Sequence, residues 1–219
     1  MLTVTGLDYY IEKTQILRQV SLDLPDGTMA GLVGRNGAGK TTLLRSVMGL
    51  IKPAAGSVSI AGIDVTRLPG FKRAGMQVGY MPEDRRLVPE LTVEENVMVP
   101  AWANEITDAP QRLKRIYELM PEVAGFASRR ALQLSGGQQK LVAFARALMC
   151  GTQLLLLDEP FEGVAPALSH RLVEVLVALK AQGLSVILSE SDYTHSAGIV
   201  DKLFVIERGV VAERPVIRN

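Results

Sequence analysis

The sequence predicts an α/β fold with a mostly parallel sheet at its centre, and three observations predict it. Short apolar runs alternate with amphipathic helical segments at 28–50 and again at 154–206, the pattern of parallel strands joined by crossover helices. The first 24 residues alternate apolar and polar side chains, which reads as half-buried antiparallel strands. From about 86 to 145 only helical patterns occur, so a helical insert separates the two halves of the sheet.

Taken in order, residues 2–8 and 16–24 are strands, the second marked by Val20, Leu22 and Leu24. Pro25-Asp26-Gly27 is a turn, because each residue type favours one. Residues 28–33 form a short apolar strand that runs into a glycine-rich loop, and residues 40–50 read as helix. Further strands are expected at 57–61 and 76–81. Thr92-Val93-Glu94-Glu95 is a capping box, which starts a helix near Val93. Leu113, Ile116, Tyr117 and Met120 recur at helical spacing before Pro121. Residues 154–158 are a fully apolar strand ending in acid. Residues 166–181 form an amphipathic helix on Leu172, Val175, Leu176 and Leu179, closed by Gly183. Strands follow at 184–189 and 203–206, with a hairpin turn at Glu207-Arg208-Gly209.

Bulk properties narrow the function. A chain of 219 residues, 47% hydrophobic and 21% charged, fits one globular domain. Its formal net charge of +1 argues against a nucleic-acid binder acting through bulk charge. The single cysteine, Cys150, allows no internal disulfide and suits a reducing compartment, where it reads as a buried apolar residue. The N-terminus lacks the basic and apolar regions of a signal peptide, and no stretch approaches the ~20 apolar residues that span a bilayer. A role at a membrane therefore implies docking onto another chain.

Gly34-Arg35-Asn36-Gly37-Ala38-Gly39-Lys40-Thr41 matches G-x-x-x-x-G-K-[ST], after an apolar strand and before a helix. Glycines let backbone N–H groups curl around a phosphate, and the helix start adds its positive end. Lys40 is placed for the β- and γ-phosphates, and Thr41, followed by Thr42, offers a hydroxyl to Mg²⁺. The strand 154–157 ends in Asp158-Glu159. Asp158 is the candidate Mg²⁺ ligand, directly or through water, and Glu159 the general base or water-orienting group. Adjacent side chains on a strand point opposite ways, so both can serve one site only where the strand ends.

Leu134-Ser135-Gly136-Gly137-Gln138 opens a second helix whose backbone amides and Ser135 hydroxyl can hold an anion. With Asp158 23 residues after Ser135, the three motifs stand in an order and spacing that resemble the ABC ATPase family over essentially the whole chain. The resemblance implies a P-loop NTPase core with an N-terminal antiparallel β-subdomain and an inserted helical subdomain. It divides the chain as 1–85, 86–145 and 146–219 within one nucleotide-binding domain. It also implies ATP and Mg²⁺ as cofactors and a head-to-tail dimer, identical or mixed, in which Ser135, Gly136, Gly137 and Gln138 complete the γ-phosphate site of the opposite subunit. Transmembrane permease subunits and, indirectly, a solute-binding protein are the implied partners, at the cytoplasmic face of the membrane. A finer resemblance is to the shorter ATPase of branched-chain amino-acid importers and their urea or amide relatives. It rests on Gly34-Arg35-Asn36-Gly37, Val78-Gly79-Tyr80-Met81-Pro82-Glu83-Asp84-Arg85-Arg86, Leu91-Thr92-Val93-Glu94-Glu95-Asn96 and Asp158-Glu159-Pro160-Phe161-Glu162-Gly163-Val164-Ala165-Pro166. Another ABC transporter, an exporter included, and a nucleotide-responsive module with little turnover are the alternatives.

The sequence departs from the family pattern at several places. Glu83 stands where most members carry a glutamine that touches Mg²⁺ and water, and an acid can keep the metal role. Ser191 stands where most carry a histidine on the γ-phosphate; His195, four residues on, is the alternative catalytic candidate. Tyr10, rather than Tyr9, is taken as the aromatic that stacks on adenine. Arg85-Arg86 is a candidate contact for the membrane subunit. Only six residues follow Glu213, so the family's C-terminal helices are expected to be minimal and a separate regulatory domain absent.

Overall fold

The computed structural model describes residues 1–216; the expectation about the chain's last segment concerns, in part, residues 217–219, which lie outside the described residues. Ten strands form two sheets. Strands β1 (Leu2–Ile11), β2 (Thr14–Leu24), β4 (Ala55–Ile60) and β5 (Ile63–Asp64) make an antiparallel sheet in the order β2-β1-β4-β5. Strands β3 (Met29–Val33), β6 (Val78–Met81), β7 (Leu154–Leu157), β8 (Ser185–Glu190), β9 (Lys202–Glu207) and β10 (Val210–Arg214) make a sheet in the order β10-β9-β3-β8-β7-β6. It is parallel except at the β9–β10 hairpin.

The six-stranded sheet is buried on both faces, and its leucines show how. In β7, Leu154 and Leu156 enter the core shared with the antiparallel sheet, while Leu155 and Leu157 enter the core under the helices. The period of two in a strand thus sorts an all-apolar run between two cores, as buried parallel strands do. The first core holds helix α1 (Lys40–Met48) through Leu43, Leu44 and Val47. The second holds α3 (Val93–Ala103), α4 (Ala109–Leu119), α5 (Pro121–Gly125), α6 (Gly136–Cys150) and α7 (Pro166–Ala181). The expected capping box is present: the Thr92 hydroxyl accepts from Glu95 N at 3.2 Å, and the Glu95 carboxylate accepts from Thr92 N at 2.7 Å.

Helix α2 (Gly70–Gly75) and strand β5 were not legible in the sequence. Six residues with glycine at both ends read as a turn, yet Arg73 organises them. Its side chain is 1% exposed and donates to the carbonyls of Ser46, Val47, Leu68 and Thr66. Two of these are orphan carbonyls at the C-terminal end of α1, the helix that begins at the phosphate loop.

Candidate nucleotide-binding and hydrolysis site

The phosphate loop leaves the central strand β3 with its amide tied sideways, Gly34 N donating to the Glu190 carbonyl at 3.2 Å. A Cβ at Gly34 would lie 2.3 Å from the Ile206 carbonyl, so only glycine fits between β3 and β9. Gly39 caps α1 at φ 113°, a left-handed conformation that a side chain would strain. Arg35, Asn36 and Gly37 are exposed, while Ala38, Gly39 and Lys40 are buried.

Lys40, only 5% exposed, folds back over the loop. Its ammonium donates to the carbonyls of Gly34 and Arg35 and lies 2.9 Å from Glu159 Oε1. Thr41 donates its hydroxyl to Asp158 Oδ1 at 3.1 Å; Thr42 follows it on α1, half-buried. The two acids are separated by backbone geometry. Asp158 N still donates to the Met81 carbonyl of the neighbouring strand, whereas Glu159 takes φ 49°. That turn sends Asp158 to the floor of the site and Glu159 toward Lys40.

Asp158 is fully buried and receives three hydroxyls, from Thr41, from Ser189 at 2.9 Å and from Tyr80 at 3.3 Å. Burial pushes its carboxyl above the usual range; the three hydroxyl donors oppose this and the nearby Glu159 adds to it. Burial also raises the Tyr80 phenol, which keeps it a donor. Ser189 and Tyr80 were missed in the sequence. Ser189 does carry a signal, being a hydroxyl that directly follows the apolar run Val186, Ile187 and Leu188 in β8; Tyr80, next to last in β6, carries none.

Ser191 lies between the two halves of the site. Its one hydroxyl proton is shared between Asn36 Oδ1 at 2.9 Å and Glu159 Oε1 at 3.0 Å. His195 is elsewhere: its ring stacks on Phe161 at 4.8 Å between centroids, and Nδ1 lies 3.4 Å from Glu190 Oε1. Among the described residues it makes no hydrogen bond to the phosphate loop or to Glu159. Glu83 is exposed at the site's edge. Partial burial and the charges of Glu162, Asp158 and Glu159 raise its carboxyl. Thr41, Asp158 and Glu83 are an all-oxygen donor set, which suits Mg²⁺. Among the described residues no three His, Cys, Asp or Glu side chains form a metal cluster by themselves, the situation in which Mg²⁺ depends on substrate phosphates and water.

Tyr10 is 44% exposed, while Tyr9 packs into the β core. Tyr10 pairs with Gln15 across the hairpin, and the next residues, Ile16 and Leu17, lie against Gly39. The Ser135 segment forms its own capping box, Ser135 Oγ accepting from Gln138 N and Gln138 Oε1 from Ser135 N. Ser135 and Gly136 are exposed, and a Cβ on Gly137 would meet Leu168 of α7 at 2.9 Å. Arg85 turns inward, donating to the Gly136 carbonyl and to Gln139 Oε1, so of the Arg85-Arg86 pair only Arg86 faces out, paired to Asp84 at 2.8 Å.

The profile of the family described as "ABC transporter" matches residues 17–162. The chain belongs to the ABC transporter ATPases. Its relatives include BraG of Pseudomonas aeruginosa, a high-affinity branched-chain amino acid transport ATP-binding protein, 34% identical over 95% of this chain and 90% of that one. LptB of Escherichia coli K12, a lipopolysaccharide export system ATP-binding protein, is 31% identical over 95% of this chain and 87% of that one. A nucleotide-free ATP-binding cassette of an ABC transporter superposes with TM-score 0.88 at 26% identity, covering 99% and 92% of the two chains. A dimeric cassette in a post-hydrolysis state, bound to ADP and Pi, superposes with TM-score 0.85 at 25% identity over 99% of each chain. As a member of this family the chain binds and hydrolyses ATP.

Proposed function

We propose that this ATPase powers the import of branched-chain amino acids or a related small polar solute. The observation that carries the reading is the 34% identity to BraG over 95% of the chain, together with the Pro82–Arg86 and Glu159–Pro166 segments. Lipopolysaccharide or other export is the second reading, favoured by the 31% identity to LptB. No helix among the described residues is long and apolar enough to cross a membrane; on this reading the chain docks onto a membrane-spanning permease. Its docking place is the groove of about 520 Å³ between α1, β6, α3 and α6, where Leu50, Val99 and Pro100 supply an apolar floor and Arg45, Arg86 and Asp84 a charged rim. Thr41 and Asp158 line the same groove, which would couple docking to the hydrolysis site.

Lys40 exchanges the Glu159 carboxylate and loop carbonyls for phosphate oxygens, and Tyr10 stacks on the adenine. Mg²⁺, when bound with ATP, neutralises phosphate charge, and Thr41, Asp158 and Glu83 are the residues that would hold it. Glu159, released from Lys40, orients the attacking water and takes its proton as the new P–O bond forms and the β–γ bridge breaks. Ser191 donates toward the γ-phosphate, and Ser135 and Gly137 of a second ATPase, identical or not, close over it. A solute-binding protein would deliver cargo to the permease from the other side. The test is co-purification with the permease and reconstitution in vesicles. Radiolabelled leucine or valine should enter in an ATP-dependent way. Uptake of neither, with a lipopolysaccharide-binding permease recovered instead, replaces import by export.

A further inference from the structure

Helix α6 is apolar along its buried face except at one position. Lys140 is 5% exposed and is followed by Leu141, Val142, Ala143, Phe144 and Ala145, all buried. Its ammonium donates to the Glu162 carbonyl in the turn just after Glu159. Among the described residues no carboxylate comes within 4.0 Å of it, yet the charges of Glu162, Glu159 and Glu83 act on it favourably and that of Arg85 opposes them. A buried ammonium with a single hydrogen bond costs desolvation free energy. A neutral donor such as glutamine could make the same bond to a carbonyl without that cost, so the charge itself needs a use. The site supplies one: Glu83 feels the charges of Glu162, Asp158 and Glu159, and among the described residues the only ion pair that any of these four acids makes is that of Glu159 with Lys40.

We propose that Lys140 is a positioning residue of the hydrolysis site, the counter-charge that lets a carboxylate at Glu83 stand beside Asp158 and Glu159 while the turn at Glu162 stays tied to the Ser135 helix. Lys140 lies one and a half turns from Ser135 on α6. It therefore links the segment that serves the opposite ATP to the acid that serves its own. Without the cation, the excess of negative charge moves Glu83 away from the acids and loosens the 159–163 turn, so Glu159 loses its placement while the phosphate loop keeps its own. Turnover falls and nucleotide binding does not.

This rests on the hydrolysis-site reading above, and the experiment separates the two. In the full chain, steady-state ATP hydrolysis, calorimetric MgADP binding and melting temperature are compared for Lys140→Gln, Lys140→Arg, Glu83→Gln and Lys140→Gln/Glu83→Gln. Lys140→Gln is expected to lower kcat about tenfold, less than the 10²–10³ lost with a direct transition-state donor, with KM for ATP within about twofold. MgADP affinity should hold or rise, because a cation has left an acidic cluster. Lys140→Arg should keep kcat within about threefold, and in the Glu83→Gln background Lys140→Gln should change it by less than about twofold, the coupling expected of interacting charges. An equal loss with and without Glu83, an unchanged kcat in Lys140→Gln, or a loss in Lys140→Arg as large as in Lys140→Gln overturns the proposal. Should Lys140→Gln alone fail to fold, recovery of a folded chain on adding Glu83→Gln supports it and no recovery overturns it. Hydrolysis that survives Glu159→Gln at the wild-type rate would instead remove the site reading beneath it.

Discussion

Asp158 is held by three hydroxyls and, among the described residues, by no cation within ion-pair distance. Its raised carboxyl pKa, caused first by burial, has a consequence for stability. A carboxylate whose folded pKa lies above its unfolded value contributes stability that is complete below the unfolded pKa and is lost as pH rises through the folded one. Ionisation of Asp158 as pH rises therefore weakens the nucleotide-free chain. Asp158→Asn keeps an acceptor for Thr41 and Ser189 and turns an N–H toward the Tyr80 oxygen. It should raise the melting temperature at pH 7.5 by about 2–4 °C, roughly 1 kcal/mol for a domain of this size, and by less at pH 4, while abolishing metal-dependent ATP binding. A lower melting temperature at pH 7.5 contradicts this. Ser191 and His195 give a second comparison at the same scale. The Ser191 hydroxyl touches Glu159 and the loop, whereas the His195 ring lies on Phe161. Single-turnover hydrolysis should rise in Ser191→His, because a longer donor reaches the γ-phosphate, and change less than about threefold in His195→Ala, far short of the 10²–10³ that losing a direct donor costs. Abolition of hydrolysis by His195→Ala would make His195 the working residue.

Helix α1 carries the phosphate loop at its start and is gripped at its end by Arg73. Truncating Arg73 to methionine leaves four carbonyls without their guanidinium, two of them at the end of α1. Leaving buried acceptors unsatisfied costs on the order of 3 kcal/mol in sum. The melting temperature should fall by roughly 6–12 °C at about 2–4 °C per kcal/mol. A fall under about 2 °C would mean water replaces the arginine. Nothing in the sequence marked this residue, because its partners are backbone carbonyls that any residue type supplies. The helices on 93–103, 109–119 and 166–181 were legible because capping and spacing are local. The β1 hairpin was legible only in outline. Its register shifts between Val4 and Tyr10, around the buried Asp8 that accepts from Gln15 and Gln19, and that exposes Tyr10 rather than Tyr9.

At the scale of the molecule, the phosphate loop, the Asp158-Glu159 pair and the Ser135 segment could be read from sequence because each is a contiguous run with local chemistry. What brings them together could not, since Lys40 with Glu159, Ser191 with Asn36 and Ser189 with Asp158 are contacts between segments at the ends of strands that sheet topology sets side by side. The same topology leaves Ser135 exposed on a helix start, its hydroxyl oxygen accepting from Gln138 N in its own capping box. On the proposed reading this exposed helix start closes on a second copy of the fold; the ADP- and Pi-bound relative is dimeric. Glu159→Gln removes the acid that handles water and leaves a neutral side chain beside Lys40, so ATP is held and not cleaved. Sedimentation velocity of that variant with and without MgATP is the decisive measurement. The expected result is a monomer that becomes a dimer only with MgATP and releases no phosphate. A variant that stays monomeric with bound MgATP, or releases phosphate at the wild-type rate, contradicts it.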